Sequence, residues 1–378
     1  MRPEPCLHGR VAIQQRVLPA YRAPFFELLA QICEDGVSIY AGTALPREQI
    51  RQADSLEIAD FTTGRNIHFL DPSSRFFLCW QRGLLKWLEA ADPQALVIEA
   101  NPRYLSSRRA VQWMHTRGRP VLGWGLGAPP ITGFLASLRE GERRTFVNSL
   151  DGMVAYSRRG ADEYQRLGIP EERVFTAPNA AAAAPQQAPP ARSDVLSNGG
   201  RVLFVGRLQE RKRLDLLFRA CASLPEGVQP EVIVVGDGPA RQEFEQAAQA
   251  EYPRVTFTGD QRGQQLAELF RRADLFVLPG TGGLAVQQAL GYGLPVIVAQ
   301  GDGTQADMVR PENGWLVPPG DLAALTQALH EALSDPTRLR AKGAASYQIA
   351  SQEVNLEVMA AAFARAIQGI QELGMRSR

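Results

Sequence analysis

The chain has 378 residues, of which 45% are hydrophobic and 21% charged, and its formal net charge is +1. This length is enough for two domains of ordinary size, and the balanced charge excludes a general attraction to nucleic acid or to membranes. The four cysteines lie far apart and form no CxxC pair, which excludes a disulfide framework and a zinc-finger spacing. Since no apolar run has transmembrane length and the N-terminus lacks the apolar core of a signal peptide, a cytoplasmic protein is expected.

In the first half of the chain, apolar runs typical of strands alternate with segments of helical spacing. Strands are predicted at 10–17, 37–41, 67–70, 95–99, 120–124, 151–156 and 174–177, and helices at 25–33, 76–90, 106–117, 131–148 and 158–167. Such alternation indicates a mostly parallel sheet with helices on both faces.

The composition changes at residues 179–200, NAAAAAPQQAPPARSDVLSNGG, which predicts a linker. The alternation then restarts. Strands are predicted at 201–205, 231–235, 255–258, 275–278 and 296–299, and helices at 213–222, 240–250, 264–272 and 321–334. The pattern predicts an α/β fold in which two doubly wound, Rossmann-like domains face a central cleft.

A glycine-rich turn containing Gly280, Gly282 and Gly283 follows the strand at 275–278 and precedes a helix-forming segment. The first N–H groups of a helix lack intrahelical partners, and the helix dipole favours anions, so this turn is a candidate phosphate site. The turn by itself leaves open an ordinary strand–helix connection.

Several short motifs, taken in chain order, resemble the donor-binding half of GT-B glycosyltransferases of the large retaining family 4. They are VGRL at 205–208, RK at 211–212, VGDGP at 235–239, VTFTG at 255–259, ADLFVLP at 273–279, GLA at 283–285, GLPVI at 293–297, NGWLV at 313–317 and PGD at 319–321. In the first block, YRAPFF at 21–26, YS at 156–157 and PN at 178–179 look like the acceptor half. The resemblance implies an acceptor-binding domain at 1–180, a linker at 181–199, a donor-binding domain at 200–351, and a C-terminal helix at 352–378 that crosses back to the first domain.

The reaction implied by the resemblance is transfer of a sugar from a nucleotide-diphosphate sugar to an acceptor hydroxyl, with retention and without a metal or other cofactor. Arg207 and Lys212 would neutralise the diphosphate, since guanidinium and ammonium groups bind phosphate oxygens well; two solvated surface cations are the alternative. The other implied donor-side residues are Gly206, Gly259, Asp260, Gln261, Gly282, Gly283, Leu284, Ala285 and Gln288.

The chain departs from the family pattern at the two glutamates that are usually separated by seven residues, where it has Gly280 and Gln288. An amide at Gln288 can still hydrogen-bond a ribose diol. Gly280 cannot replace a carboxylate, so backbone N–H groups of the turn, or the acids Asp302 and Asp307, would have to supply the contact. The departure leaves open a non-catalytic sugar-nucleotide-binding partner subunit and, less favoured, a sugar-nucleotide epimerase.

Glu99 ends a buried strand of the first block, where a ligand-facing group is expected, and is predicted to orient the acceptor hydroxyl. A helix cap or a salt bridge to Arg103 is the alternative. The other predicted acceptor-side residues are Tyr21, Arg22, Asn101, Arg103, Gly125 and Gly127. The acceptor class stays open among glycans, lipid-linked molecules and small molecules.

The predicted helix at 131–148 combines basic and apolar residues, namely Arg139, Arg143 and Arg144 with Phe134, Leu135 and Leu138. Such a face can meet an anionic lipid or a diphosphate-linked acceptor at the inner face of a membrane. A plain solvated face is the alternative and the commoner arrangement of charged residues.

Overall fold

The computed structural model describes residues 7–48, 50–72, 74 and 76–376. The strands are β1 (Val11–Val17), β2 (Val37–Gly42), β3 (Asp60–Phe69), β4 (Leu78–Arg82), β5 (Ala95–Glu99), β6 (Val121–Gly125), β7 (Gly152–Ala155), β8 (Val174–Thr176), β9 (Arg201–Val205), β10 (Glu231–Val235), β11 (Val255–Gly259), β12 (Leu275–Leu278), β13 (Val296–Ala299) and β14 (Gly314–Val317). The helices are α1 (Ala23–Gln31), α2 (Leu84–Ala91), α3 (Leu105–His115), α4 (Ala136–Asn148), α5 (Arg158–Arg166), α6 (Leu214–Ala222), α7 (Arg241–Glu251), α8 (Gly263–Arg272), α9 (Leu284–Gly291), α10 (Thr304–Met308), α11 (Leu322–Ser334), α12 (Pro336–Gln352) and α13 (Leu356–Arg376).

These elements form two units, each built on one sheet. Unit 1 comprises Met1–Ala181 and Leu356–Arg378, and unit 2 comprises Ala182–Asn355. The strand order is β4-β3-β2-β1-β5-β6-β7-β8 in unit 1 and β11-β10-β9-β12-β13-β14 in unit 2. All neighbouring strands are parallel except the antiparallel pair β3–β4. The predicted α/β class with two mostly parallel sheets is confirmed.

The apolar cores follow from this arrangement. The central strands of parallel sheets are buried on both faces and therefore consist of continuous apolar runs, as in β12 and β13, whose residues are all buried. In unit 1, α13 packs against α1: the Phe363 ring lies 4.9 Å from that of Phe25 and 4.8 Å from that of Trp124, between centroids. The last helix thus belongs to the core of unit 1.

The prediction of one helix at 76–90 is wrong. The segment contains the strand β4, a turn at Gly83 and the shorter helix α2. Along β4, exposed Leu78 and Arg82 alternate with buried Cys79 and Gln81, which is the period of a strand. Gly83 has φ of 95°, a value that favours glycine and separates the two elements.

Two further boundaries differ from the predictions. The helix expected at 131–148 begins at Ala136, because Leu135 adopts the left-handed φ of 58°. The segment expected to be a linker lies on unit 2, where the Arg192 guanidinium group donates to the main-chain oxygens of Phe270, Ala273 and Tyr292 at 2.8–3.1 Å. Prolines and alanines without apolar periodicity gave no sign of this anchor. Among the described helices, none combines the length and the apolar composition needed to cross a membrane.

Candidate functional site

The sheet of unit 2 brings two loops to one edge. β9 and β12 are neighbouring parallel strands, so the loops that follow them, 206–212 and 279–283, leave the sheet side by side. Ligands of doubly wound sheets bind beyond this carboxyl edge. The predicted donor-side residues of both loops are therefore close in space.

Lys212 lies between these loops. It is buried, and a Cβ added to Gly206 would lie 3.9 Å from Lys212 Cε, whereas one added to Gly282 would lie 2.5 Å from Lys212 Nζ. The Nζ atom donates a 2.6 Å hydrogen bond to the carbonyl oxygen of Thr281. Burial, and then the charge of Arg211, lower the pKa of Lys212 to about 8. The fold thus holds an ammonium group against the glycine turn, with no carboxylate partner among the described residues.

The glycine turn packs closely against the main chain of Arg211 and Lys212. The Thr281 N–H donates to the Arg211 carbonyl oxygen at 3.0 Å, and Arg211 Nη1 donates to Thr281 Oγ1 at 2.9 Å. A Cβ added to Gly280 would lie 2.6 Å from the carbonyl carbon of Lys212 and closer still to the Arg211 carbonyl oxygen. Position 280, where the family resemblance expects a glutamate, has no room for a side chain in this structure.

The cations of the first loop differ in how they are paired. Arg213 forms an ion pair with Asp215 at 2.9 Å, and Arg211 is held by Gln209 and the glycine turn. Arg207 is partly buried, and its guanidinium group has no hydrogen-bond or ion-pair partner within the described residues. Arg207, Arg211 and Lys212 therefore have no carboxylate partner among the described residues, and of these three only Arg207 also lacks a side-chain hydrogen bond.

The turn that carries Arg207 is hydrogen-bonded to the end of β10 and to the loop that follows it. The Gly206 N–H donates to the Val235 carbonyl oxygen at 3.0 Å, and the Leu208 N–H to that of Asp237 at 2.9 Å. Beyond it, Gln261 Nε2 donates to the Thr258 carbonyl oxygen at 2.8 Å, while Asp260 is paired with Arg262 at 2.5 Å and Gly259 accepts from the Gly236 N–H at 2.8 Å. These contacts explain the local structure of Gly259, Asp260 and Gln261; their role toward a nucleotide base stays a prediction.

Gln305 is a site residue that the sequence reasoning missed. Its side chain is 2% exposed, and Nε2 donates a 2.8 Å hydrogen bond to the Gly282 carbonyl oxygen. Asp302 accepts from Thr304 Oγ1 at 2.6 Å and from the Thr304 N–H at 3.1 Å, so it orders the loop that presents Gln305. The sequence signal for Gln305 is the polar run GDGTQAD directly after a buried strand, in which a glutamine is less conspicuous than the two acids.

The two glutamines of α9 have different surroundings. Gln287 is buried. Its Oε1 accepts a hydrogen bond from the Ala182 N–H, and its Nε2 donates to the carbonyl oxygens of Ala182 and Val354. Gln288 is partly exposed and lines a cavity of about 540 Å³ together with the 182–190 segment and Tyr292. No side chain caps the N-terminus of α9 at Gly283. Leu284 and Ala285 open this helix, so their N–H groups lack intrahelical acceptors.

In unit 1, Glu99 lies at the carboxyl end of β5. Burial raises the pKa of Glu99 to about 7, and the main-chain N–H of Arg16 and the hydroxyl of Tyr104 hold the rise in check as hydrogen-bond donors. Asn101 Oδ1 accepts from the N–H and Nε of Arg103 at 3.1 and 3.2 Å. The alternative of a Glu99–Arg103 salt bridge is absent from the described contacts, because Arg103 is turned toward Asn101.

Three other predicted acceptor-side residues have structural surroundings. Arg22 is 4% exposed and is enclosed by the rings of Trp124 and Tyr156, to which its guanidinium carbon lies 5.5 and 5.2 Å from the centroids. Side chains at Gly125 and Gly127 would collide with α5: a Cβ on Gly125 would overlap the Tyr164 hydroxyl, and one on Gly127 would lie 2.5 Å from the Glu163 carboxylate. The contacts of Arg22, Gly125 and Gly127 therefore add no support for an acceptor surface, and that role stays a prediction. Tyr21, which precedes Arg22, is 44% exposed.

Comparison with known proteins finds relatives of unit 2 and of the whole chain. Residues 191–348 match the family model described as Glycosyl transferases group 1. A sulfoquinovosyl transferase of Arabidopsis thaliana is 35% identical over 37% of this chain and 28% of its own length. A GDP-mannose-dependent alpha-mannosyltransferase of Mycobacterium tuberculosis is 35% identical over 38% of this chain and 40% of its own length. The chain thus spans less than half the length of these two relatives.

One relative matches across both units. The GDP-mannose-dependent alpha-(1-6)-phosphatidylinositol monomannoside mannosyltransferase of Mycolicibacterium smegmatis is 26% identical over 76% of each chain. Among solved structures, Anabaena HepE in complex with UDP superposes with a TM-score of 0.70, at 16% identity, over 95% of this chain and 99% of that one. The fold is GT-B.

The residues that match the family model all lie in unit 2. The family match covers β9 to α11 and most of α12, so it contains both loops around Lys212 and all of α9. The glycine turn, Arg207 and Lys212 of this GT-B chain were identified from the sequence, whereas the steric closure at Gly280 and the brace from Gln305 required coordinates.

Proposed function

We propose that this protein is a retaining, metal-independent glycosyltransferase that moves a sugar from a nucleotide-diphosphate sugar to an acceptor hydroxyl. The observation that carries the proposal is the pair of cations at one sheet edge: Lys212, buried without a carboxylate partner, and Arg207, whose guanidinium group has no partner among the described residues. An uncompensated cation is costly to bury. A diphosphate leaving group would supply the missing negative charge.

In this proposal the donor site uses charge and backbone groups in place of carboxylates. Arg207 and Lys212 stabilise the charge that develops on the departing diphosphate, and such stabilisation is commonly the largest part of a catalytic effect. The N–H groups at the start of α9 add to it. Gln288 binds the ribose hydroxyls. The acceptor attacks the face that the phosphate leaves, so configuration at the sugar carbon is retained.

Donor binding requires Lys212 to change partner. Its Nζ atom is bound to the Thr281 carbonyl oxygen, and the C=O and N–H of one trans peptide point in opposite directions. The Gly282 N–H is therefore directed away from Lys212 in this structure. When phosphate oxygens take the place of the Thr281 oxygen, rotation of this peptide would turn the Gly282 N–H toward the same anion. Gly282, with φ of 146°, permits such a rotation.

The second candidate is a sugar-nucleotide-binding subunit without turnover. It is favoured by one observation: position 280 holds no side chain and has no space for one. The donor sugar then lacks the carboxylate contact that the resemblance implies, and the chain would bind donors without activating them.

A panel of nucleotide sugars tests the proposal. A nucleotide sugar that raises the melting temperature of the protein should also be a substrate, so its sugar should be transferred to an added acceptor hydroxyl or slowly hydrolysed. Binding and turnover should both continue in the presence of a chelator. Lys212→Ala should weaken the binding and abolish transfer and hydrolysis, and Arg213→Ala should leave binding and turnover unchanged, because Arg213 is paired with Asp215. Binding without transfer or hydrolysis would favour the second candidate. Interconversion of the donor sugar with no acceptor present would indicate an epimerase.

In this proposal the acceptor binds to unit 1. We place the acceptor hydroxyl beside Glu99, with Asn101 and Arg103 as neighbouring polar groups. The M. smegmatis relative has a phosphatidylinositol glycolipid in its name, which supports a lipid-linked acceptor and peripheral attachment at the cytoplasmic face of a membrane. Near α4, Phe134 and Leu138 are 68% and 61% exposed, which suits such attachment.

The basic part of α4 gives weaker support. Arg143 is bound to Glu140 at 2.5 Å, and α4 contributes Glu142 as the partner of Arg108 at 2.7 Å. These ion pairs neutralise part of the charge that would attract an anionic lipid. The apolar residues of this helix are therefore its better candidates for a membrane contact.

A further inference from the structure

The β3–β4 pair in unit 1 has its apolar residues on the outside. The strands are antiparallel, and alternate cross-strand pairs face outward. These pairs are Arg65–Arg82, Ile67–Trp80 and Phe69–Leu78, and we call them the outer face. Ile67, Phe69 and Leu78 are 37%, 49% and 36% exposed, and Leu70 and Phe76, which follow and precede the strands, are 63% and 41% exposed.

The inward side of the same strands is polar. Gln81 Nε2 donates to the Gln15 carbonyl oxygen at 2.9 Å and to Asn66 Oδ1 at 3.1 Å, and Asn66 Nδ2 donates to the Arg16 carbonyl oxygen at 2.8 Å. Sheets with one solvated face ordinarily bury their apolar residues and expose their polar ones. A slip of one residue would reverse the two sides, but it would break these hydrogen bonds. The register therefore keeps an apolar strip exposed, and such patches mark interaction surfaces.

Positive charge is concentrated at one end of the strip. Arg65 lies directly opposite Arg82, and like charges in that position repel. Arg109 of α3 lies over the Trp80 ring, with its guanidinium carbon 5.2 Å from the centroid. None of the three arginines has an ion-pair partner among the described residues. Neither the 65–69 segment nor β4 contains an acidic residue, so an anion from outside the chain would complete this end.

We propose that the outer face binds a membrane surface that contains anionic lipids. Phe69 and Leu78, with the adjacent Leu70 and Phe76, would enter the boundary between headgroups and acyl chains, while the arginines contact phosphates. Arg65 and Phe69 are four residues apart, or about 13 Å along a strand, which is close to the depth of the headgroup layer plus the roughly 5–10 Å that interfacial elements penetrate.

A second copy of this chain fits the outer face less well. A two-fold interface would place a second copy of the outer face against the first, and the outer face contains no carboxylate that could neutralise Arg65 and Arg82. An anionic lipid surface instead neutralises them. This inference uses unit 1 only, and it does not depend on the proposed transfer reaction.

Sedimentation of the full chain with vesicles tests the proposal without any donor or acceptor. We expect binding to vesicles of phosphatidylcholine mixed with phosphatidylglycerol, little binding to phosphatidylcholine alone, and a decrease with added salt. Arg65→Gln and Arg82→Gln should each weaken the binding about fivefold, from the contribution of one basic residue near an anionic surface. The double variant Phe69→Ser/Leu78→Ser should weaken it by about tenfold or more.

Matched controls separate this surface from other apolar positions. Val195 is 73% exposed on unit 2, and Val195→Ser should bind vesicles as the wild type does. Phe134→Ser/Leu138→Ser tests α4. Loss of binding in that variant with full binding in Phe69→Ser/Leu78→Ser would overturn the proposal, as would a wild-type chain that fails to bind the anionic vesicles. A concentration-dependent dimer that Phe69→Ser/Leu78→Ser abolishes, in a chain that does not bind vesicles, would show a second copy as the occupant. All the substituted side chains are at least one-third exposed, and unchanged melting temperatures would confirm that the variants fold.

Discussion

Gly280→Ala is expected to destabilise unit 2 although alanine is the smallest change available. The added Cβ would lie 2.6 Å from the carbonyl carbon of Lys212 and 2.7 Å from its Cα. Both atoms belong to the main chain, so no side-chain rotation can relieve the overlap. Overpacking of this kind costs about 1–3 kcal/mol, and the reduced entropy of the unfolded chain offsets about 0.4–1 kcal/mol of it. With the middle of each range, the net loss is about 1.3 kcal/mol.

Calorimetry of the full chain measures this effect, and Gly283→Ala provides the control. Each kcal/mol corresponds to about 2–4 °C in a unit of this size, so the melting temperature of unit 2 should fall by about 3–5 °C. A Cβ on Gly283 would lie 3.6 Å from its nearest neighbours, which is ordinary contact. The poorer helix cap and the lower unfolded-state entropy nearly cancel there, so little change is expected.

A substitution to the glutamate that the resemblance implies extends this test. Gly280→Glu adds the same Cβ and should lose at least as much stability as Gly280→Ala, without strengthening donor binding. The reasoning fails if Gly280→Ala melts at the wild-type temperature, or if Gly283→Ala is equally destabilised. In either case the glycine turn would not be sterically closed against Lys212.

Three further predictions concern ionisation and charge. Affinity for the nucleoside diphosphate that binds best should fall as pH rises through about 8, the pKa of Lys212 in the free protein, because the neutral amine no longer attracts phosphate; calorimetric titration of Lys212→Met should show no such bend. Arg207→Ala should weaken donor binding by about 1.5–3 kcal/mol, the scale of a hydrogen bond to a charged group, and wild-type affinity would remove Arg207 from the site. The acceptor kcat/KM should rise with pH through about 7, as Glu99 ionises, and level off above it; a Glu99→Gln profile that keeps the rise would assign it to another group.

The unit 2 sheet was largely predictable from the sequence because parallel central strands are continuous apolar runs, and β9, β10, β12 and β13 have the bounds that those runs indicate. The β4–α2 region was not. Phe76, Phe77, Trp80 and Leu84 also fit a helical spacing, and the residue that separates strand from helix is one glycine, Gly83, with a positive φ. Short apolar segments satisfy both periods, and tertiary contacts decide between them.

The candidate site divides in the same way. Arg207, Lys212 and the glycine turn could be found from the sequence because a phosphate site needs cations and close main-chain approach, and those residue types stand in a recognisable order. In the resemblance, Gly280 and Gln288 stand at the two positions where glutamates are expected. The sequence determined, by itself, the α/β class, the alternation of elements and the identity of the charged groups available to a donor.

Only the tertiary structure decided which of those groups are free and which are occupied. Arg22 looks exposed beside a turn but is enclosed by aromatic rings, and Arg213 looks equivalent to Arg207 but is neutralised by Asp215. Glycine at 280 reads as the loss of a side chain, whereas the coordinates show that the Arg211–Lys212 main chain occupies the space. Pairing, burial and steric closure depend on residues distant in the chain, and a linear pattern does not record them.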